Sequence, residues 1–345
     1  MPATLAAVAK GEFMRILLTL LCVLASPLAF SGAALAACEG TNLFSQMEPA
    51  HRARLELSAA EQPFHQGNLW RATKDDQQIT LVGTYHLSDP RHADVMTSVT
   101  PHLDSATTLL VEAGPEEEAA LLAAVGQDPT LFVMPDTTLP TLMEPEDWET
   151  LSAAMTRRGI PGFMAAKFQP WYITVLLAVP PCMMAEVQAQ DRTGLDHLII
   201  DYAKARDLPV QGLEPFDTVF SLFDSFSRDD QISMLRSSLA IEDQAEDYIA
   251  TLADSYFAGE SRLIWELMRD LSLQMPGYTP EQVEADMAKM EQALLVDRNQ
   301  GWIPVIEAAA AKGPVVAAFG ALHLPGDYGI PSLLQQQGWT LTPVK

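Results

Sequence analysis

Short apolar runs, each bounded by glycines or polar turn residues, predict the strands of this chain. They lie at about 69–73, 78–82, 107–112, 208–214, 315–319 and 339–344. Runs of this length are typical of strands, because helices need longer periodic segments. The polar residues 74–77 lie between the first two runs and predict a hairpin.

Longer segments lie between the strands. Their apolar residues recur at helical spacing, or prolines divide them into short stretches. They predict helices at about 91–102, 115–126, 195–206, 302–311 and 329–337, and mostly helical structure over 137–205 and 217–295. Since strand, helix and strand follow one another over 79–112, we expect those two strands to form a parallel pair. The order indicates an α/β (α+β) fold, in which helices pack around a central mixed sheet and a large helical insertion spans about 115–295.

One short motif follows two of the predicted strands. Residues 83–87 read GTYHL after one apolar run, and residues 320–324 read GALHL after another. A turn and a helix follow each copy. Two other strands end in glutamate, at Glu112 and at Glu214. These matches indicate that the sheet is built from two quasi-repeated halves.

The first 36 residues have the pattern of a secretory signal peptide. A basic flank precedes the apolar run 16–25, and the small residues 31–37 contain an A-x-A cleavage site. The run is too short to span a membrane, which takes roughly 20 apolar residues. Met14 is an alternative start. We therefore expect one domain at 37–345, exported to the periplasm or secreted, with no transmembrane segment in the mature chain.

Cys38 admits two assignments. Residues 35–38 read LAAC, which also resembles a lipoprotein box, so a lipid anchor through Cys38 is the alternative localisation. Cys22 leaves with the signal, and Cys38 and Cys182 remain. Two cysteines in an oxidising compartment suggest one disulfide. The two assignments exclude each other, because both use the sulfur atom of Cys38.

The formal net charge is −24 at pH 7. Such an acidic chain repels the phosphate backbone of nucleic acids and anionic lipid headgroups. We therefore expect no nucleic-acid partner, and solubility is a sufficient explanation for most of the acidic residues.

His86 and His323 are the residues best suited to chemistry. Each lies three positions after a glycine at the end of an apolar strand, and ligands bind beyond the carboxyl ends of strands in open α/β sheets. Glu112 directly follows another strand, where a buried acid needs a partner. Two imidazoles and a carboxylate can hold a divalent cation such as Mn²⁺, Co²⁺ or Zn²⁺. A lone strand-end histidine is more often structural, however, and Glu112 could instead cap the next helix.

Arg298 and Glu214 are two further candidates. Arg298, together with Asn299, could anchor a substrate carboxylate or stabilise an oxyanion, and an ion pair of Arg298 with Asp297 or another neighbour is an equal alternative. Glu214 ends a strand as Glu112 does, and it could serve the site or the fold.

Tyr85 and Asp89 flank the first histidine of the motif. Both are candidates to orient a ligand, although Asp89 could also cap the following helix. We expect His92 and His102, on that helix, at the surface.

As an ordered set, these motifs resemble the TraB/GumN family, which includes the Tiki metalloproteases. The resemblance covers about residues 67–345. It lies in LVGTYH and AFGALHLPG, in the tail at 329–338, and in shorter matches at 170–171, 194–196, 212–214 and 297–299.

The resemblance implies an α/β fold with two related halves and a divalent-metal-dependent peptidase that acts on a peptide or protein substrate. His86, His323 and Glu112 would then be the site residues, with Glu112 either a third ligand or the base that deprotonates water. Arg298 would be the accompanying polar residue. The alternative function is a non-catalytic haem- or peptide-binding module that uses the same histidines, since imidazole also ligates haem iron.

Overall fold

Six strands form one mixed sheet in the computed structural model, which describes residues 38–184, 194–275 and 278–344. The order of strands across the sheet is β4-β3-β5-β2-β1-β6. Their bounds are β1 Leu69–Lys74, β2 Gln77–Thr84, β3 Thr108–Val111, β4 Val210–Gly212, β5 Val315–Gly320 and β6 Thr340–Pro343. The described residues belong to one compact unit, and the predicted α/β class with a mixed sheet is confirmed.

Strand direction divides the sheet into two parts. β4, β3, β5 and β2 are parallel, whereas β1 is antiparallel to both β2 and β6. The predicted hairpin between β1 and β2 is confirmed, and Asp75 in its turn has a left-handed φ of 52°. The predicted pairing of β2 with β3 is wrong, because β5 lies between them and pairs with both. The helical crossover from β2 to β3 therefore skips one position, which β5 fills.

Helices surround this sheet and, apart from β4, make up most of the segment between β3 and β5. Their bounds are α1 Leu43–Gln46, α2 Pro49–Ala60, α3 His92–Ser105, α4 Pro115–Gln127, α5 Pro145–Arg157, α6 Gly162–Ala165, α7 Pro170–Leu177, α8 Leu195–Lys204, α9 Thr218–Asp224, α10 Arg228–Ala240, α11 Ala245–Phe257, α12 Ser261–Leu273, α13 Pro280–Glu291, α14 Asp297–Ala310 and α15 Ile330–Gln336. A short π-helix at Gln292–Val296 leads into α14, and a 3₁₀ turn at Ala321–His323 follows β5. Helix α14 begins five residues before the predicted 302, so it includes Arg298 and Asn299.

The two faces of the sheet pack against different helices. Along β5, Val315, Ala317 and Phe319 join an apolar cluster with residues of α14 and α15. Val316 and Ala318 join a second cluster with residues of α3, α8 and α11. Alternate side chains of a strand point to opposite faces, so a strand buried on both faces reads as a continuous apolar run. The apolar run that predicted β5 has this cause.

One predicted surface histidine lies in the core. His92 is 1% exposed and packs against the Tyr256 and Phe257 rings, and its Nε2 lies 2.9 Å from the Leu87 carbonyl oxygen. His102, near the end of the same helix, is half-buried. The prediction for His92 fails because helix α3 turns its first residue towards α11.

A disulfide joins Cys38 to Cys182 across 144 residues, with a Cα–Cα distance of 5.5 Å. It uses the sulfur atom that a lipid anchor on Cys38 would need. The predicted signal peptide lies outside the described residues. Among the described residues, no helix is both long and apolar enough to cross a membrane.

Candidate functional site

Four neighbouring parallel strands end at the same edge of the sheet, and a candidate polar side chain follows each within three residues. Thr84 of β2 pairs with Gly320 of β5, and Val111 of β3 pairs with Ala318 of β5 and with Gly212 of β4. The residues that follow these ends are His86 after β2, His323 after β5, Glu112 after β3 and Glu214 after β4. Parallel pairing therefore brings together candidates that are up to 237 positions apart in the chain.

His86 is held through one ring nitrogen. Its Nδ1 lies 2.7 Å from Asp196 Oδ2, and Thr84 Oγ1 donates to Asp196 Oδ1. The negative charge of Asp196 raises the pKa of His86 to about 9, against the opposing effect of burial. Burial alone would raise the pKa of Asp196, but His86 and Thr84 hold it below its usual value. The His86 side chain is 63% exposed, so solvent screens this pair.

Asp196 reaches His86 because the start of helix α8 lies against the GTYHL turn. Leu195 N donates to the Tyr85 carbonyl at 3.0 Å, and a Cβ on Gly194 would lie only 2.1 Å from the His86 carbonyl oxygen. Only glycine permits this approach. The glycine before α8 therefore has a direct role in placing Asp196.

His323 is buried, with 5% of its side chain exposed. Its Nδ1 lies 2.6 Å from Asn299 Oδ1, while Asn299 Nδ2 donates to the Tyr328 carbonyl. The second contact fixes the amide orientation, so His323 Nδ1 carries the proton and the ring's lone pair is on Nε2. Burial lowers the pKa of His323 to about 3. The ring is therefore neutral at pH 7 and stacks on Trp302, with ring centroids 4.4 Å apart.

Glu112 lies between the two histidines. Its Oε1 accepts from Gly320 N at 2.6 Å and lies 3.8 Å from His323 Nε2. A Cβ on Gly320 would lie 3.3 Å from His86 Nε2 and 3.2 Å from Glu112 Oε1, so the glycine leaves open the space beside both atoms. Burial alone would raise the pKa of Glu112, but the neighbouring His323 and Arg298 and the Gly320 N–H hold it well below its usual value.

Helix capping is not the role of Glu112. The N-terminus of α4 is capped by Glu117, whose Oε2 accepts from Gly114 N at 2.9 Å. Both oxygens of Glu112 are instead engaged at the strand ends, where Oε2 accepts from Arg298 Nη2 at 2.6 Å.

Arg298 uses all five of its N–H groups within the protein. Nε and Nη2 donate to the two oxygens of Glu214 at 2.9 and 2.8 Å, and Nη2 also donates to Glu112. Nη1 donates to the Leu294 carbonyl at 3.2 Å and to His323 Nε2 at 3.3 Å. A guanidinium has five donors, so this geometry leaves none for a substrate. Of the two alternatives for Arg298, the ion pair is the one observed, with Glu112 and Glu214 as partners, whereas Asp297 Oδ1 accepts from Gln292.

Tyr85 and Asp89 point away from this group. The Tyr85 ring stacks on Tyr256 at 5.5 Å within an apolar cluster, where burial raises the pKa of its hydroxyl. Asp89 accepts from the Arg91 backbone N–H and from its guanidinium. The contacts of both residues are structural, and Asp89 caps the turn that leads into α3.

Sequence reasoning did not predict the hydrogen bonds by which three residues orient the candidates. Asp196 and Asn299 bind the Nδ1 atoms of the two histidines, and Trp302 Nε1 donates to Glu214 at 3.0 Å. Asp196 and Asn299 lie within two of the family-like triplets, 194–196 and 297–299, which was the available signal. A neighbour in sequence, His197, faces Glu118 instead, 3.4 Å away.

The chemistry of the donor set suits a divalent cation, although the side chains are not drawn together around one point. Within the described ranges, no three His, Cys, Asp or Glu side chains are grouped closely enough to hold a metal ion. In each imidazole, Nδ1 is nevertheless hydrogen-bonded to an oxygen atom. Each Nε2 faces the space beside the Glu112 carboxylate. That is the arrangement in which imidazole binds metals.

Family membership comes from the sequence as a whole. No curated protein matches the chain in sequence. The pattern of the TraB/PrgY/gumN family matches residues 68–343, which span all six strands and include all four strand-end candidates. The chain belongs to the TraB/PrgY/gumN family.

Proposed function

We propose that this protein is an exported metal-dependent hydrolase that acts on peptide bonds, with His86, His323 and Glu112 as the metal ligands. The observation that carries the proposal is the matched hydrogen bonding of the Nδ1 atoms of the two histidines. Each Nδ1 is bound by an oxygen atom, of Asp196 or of Asn299, and each Nε2 faces the space beside Glu112 Oε1. Hydrogen-bonded Nδ1 atoms fix the orientation of imidazole ligands and make Nε2 a better donor.

The protein residues have distinct tasks in this proposal. Asn299 keeps His323 in the tautomer whose Nε2 carries no proton, and Asp196 orients His86. Glu112 has a pKa far below neutrality, which suits a ligand, because an efficient general base needs a pKa near the working pH. The proposal therefore assigns Glu112 to the ligand role. A bound divalent metal would lower the pKa of a water molecule and so supply the nucleophile.

Export is part of the proposal. The pattern of residues 1–36 and the Cys38–Cys182 disulfide both suit an oxidising compartment. Haem binding is not favoured by a specific contact, and it enters as one outcome of the test.

The test is metal binding by the purified mature chain. Mn²⁺, Co²⁺ and Zn²⁺ are titrated by calorimetry, and cleavage of a fluorescence-quenched peptide pool is measured with and without a chelator. We expect one bound metal per chain and a loss of binding of at least about 100-fold in His86→Ala and in His323→Ala, because each removes one ligand. His51→Ala is the matched control, since His51 forms its own pair with Asp270 on α12.

Three results would count against the proposal. One is an absence of metal binding by the unaltered chain, and another is unchanged binding in both histidine variants. The third is a Soret band on haem titration that is lost in those variants, which would favour the binding-module alternative.

A further inference from the structure

Arg298 engages two of the three proposed metal ligands. Nη1 donates to His323 Nε2 at 3.3 Å, and Nη2 donates to Glu112 Oε2 at 2.6 Å. The guanidinium also lies over the Trp302 ring, 4.8 Å from its centroid, so it is held in place from one side. A cation of the protein itself thus contacts the His323 nitrogen that a divalent metal would use, and the second oxygen of the Glu112 carboxylate.

We propose that Arg298 competes with a divalent metal for the Nε2 lone pair of His323, and that it thereby sets the metal affinity of the site. This inference rests on the proposed function, in which His323 is a ligand. It makes Arg298 a positioning residue, and it replaces the expectation that Arg298 binds substrate.

The competition is decided at His323. A neutral imidazole has one lone pair, on the nitrogen without a proton. Asn299 keeps the proton on Nδ1, so the single lone pair is on Nε2, where Arg298 Nη1 donates. That lone pair cannot accept a hydrogen bond and ligate a metal at once. Glu112 is less restricted, because a carboxylate has about four acceptor sites.

Release of His323 requires only a small change at Arg298. The bonds to both oxygens of Glu214 come from Nε and Nη2, and the Leu294 carbonyl accepts a separate hydrogen bond from Nη1. They can persist when the bond to His323 is lost. Glu214 thus keeps Arg298 beside the site, where its positive charge also repels a divalent cation.

The experiment compares the Co²⁺ affinity of the mature chain with that of two variants. Arg298→Met has a similar length but no donor and no charge. Arg298→Lys keeps the charge, although one ammonium group cannot satisfy Glu112, Glu214 and His323 in the geometry of a guanidinium. Binding is followed by calorimetry and by the visible absorption of bound Co²⁺, and circular dichroism confirms folding. Arg236→Met is the control with the same charge change, because Arg236 pairs with Asp147 on the surface between α10 and α5.

We expect the dissociation constant for Co²⁺ to fall at least about tenfold in Arg298→Met, since a competing donor and a repelling charge are both removed. The fall should be smaller in Arg298→Lys and absent in Arg236→Met. Adding His323→Ala to Arg298→Met should abolish the gain. If Arg298→Met does not remain folded, the Arg298→Lys result decides.

The outcomes separate the two proposals. Equal or weaker Co²⁺ binding in the Arg298 variants, with binding by the unaltered chain, overturns the competition and leaves the metal-dependent function standing. Binding by Arg298→Met alone supports the competition and overturns metal dependence of the unaltered chain. An absence of Co²⁺ binding in all forms overturns both.

Discussion

At the scale of single residues, Asp196 controls how His86 can be used. It accepts from Nδ1, and its charge raises the pKa of His86 to about 9. We predict that Asp196→Asn lowers the pKa of His86 towards the ordinary value of about 6.5, because the carboxylate charge is lost. The measurement is an NMR titration of the imidazole in metal-free protein. Asp270→Asn, which alters the His51 pair, is the control and should leave His86 unchanged.

The same pair predicts a pH dependence of stability. The folded-state pKa of His86 is raised above its unfolded value, so the stabilisation is complete below about pH 6.5. It is lost as the pH rises through about 9. In Asp196→Asn this decline between pH 6.5 and 9 should disappear from denaturant-unfolding curves. A His86 pKa that stays near 9 in the variant would contradict the assignment.

Residue-scale prediction succeeds where a local pattern marks a strand end. His86, His323, Glu112 and Glu214 all follow strands that the sequence predicts, so their approach to one edge could be expected. The partners on helices could not, because Asp196 and Asn299 reach the histidines only after α8 and α14 dock on the sheet. Nothing near them in sequence reports that docking. Tyr85 was wrongly expected to serve the site because it is next to His86 in sequence. Neighbouring side chains in an extended segment point in opposite directions, and that of Tyr85 points into the core.

At the scale of elements, the start of helix α8 depends on Gly194. A Cβ there would lie 2.1 Å from the His86 carbonyl oxygen, which is backbone and cannot move aside alone. We predict that Gly194→Ala destabilises the fold by about 1–3 kcal/mol, as overpacking does, and weakens metal binding because Asp196 shifts from His86. Thermal and denaturant unfolding measure the first effect, and Co²⁺ titration measures the second.

Gly126 supplies the matched control for that substitution. It lies within α4, and a Cβ there would meet nothing within 4 Å. Gly126→Ala should therefore leave metal binding unchanged and stabilise the helix by up to about 1 kcal/mol. Equal stability of the two alanine variants would show that the close approach of the His86 carbonyl does not exclude a side chain at position 194.

Strands and helices could be predicted where a local sequence pattern marks them. The hairpin β1–β2 follows from two apolar runs and a polar turn, and β5 follows from an apolar run between helices. The start of α14 was set too late because residues 297–301 read DRNQG, a polar stretch ending in glycine that has the composition of a break between helices. The π-helix at Gln292–Val296 instead joins α13 to α14 without interruption, so these polar residues form the first turns of α14.

At the scale of the whole molecule, the sheet order depends on contacts that no local pattern records. Strands β2 and β3 are close in sequence, yet β5 pairs with both. The repeated G-x-x-H-L motif was the one long-range signal, because two like strand ends suggest one edge. Inserting the last parallel strand between two early ones makes the candidate site depend on both ends of the chain. A carboxyl-terminal truncation before β5 would remove His323 and the strand that separates β2 from β3.

The Cys38–Cys182 disulfide constrains the same long chain in another way. It closes a loop of 144 residues, and in the chain-entropy model such a cross-link contributes roughly 5 kcal/mol by restricting the unfolded state. We predict that Cys38→Ser with Cys182→Ser lowers the free energy of unfolding by about this amount. The denaturant m-value should rise, because the unfolded chain without the loop exposes more surface. Dithiothreitol should cause the same loss in the unaltered chain and none in the double variant. An unchanged unfolding midpoint in the reduced chain and in the double variant would mean that the cross-link does not limit the unfolded ensemble. The packing of α1 and α2 against α11 and α12 would then hold the amino terminus without the disulfide.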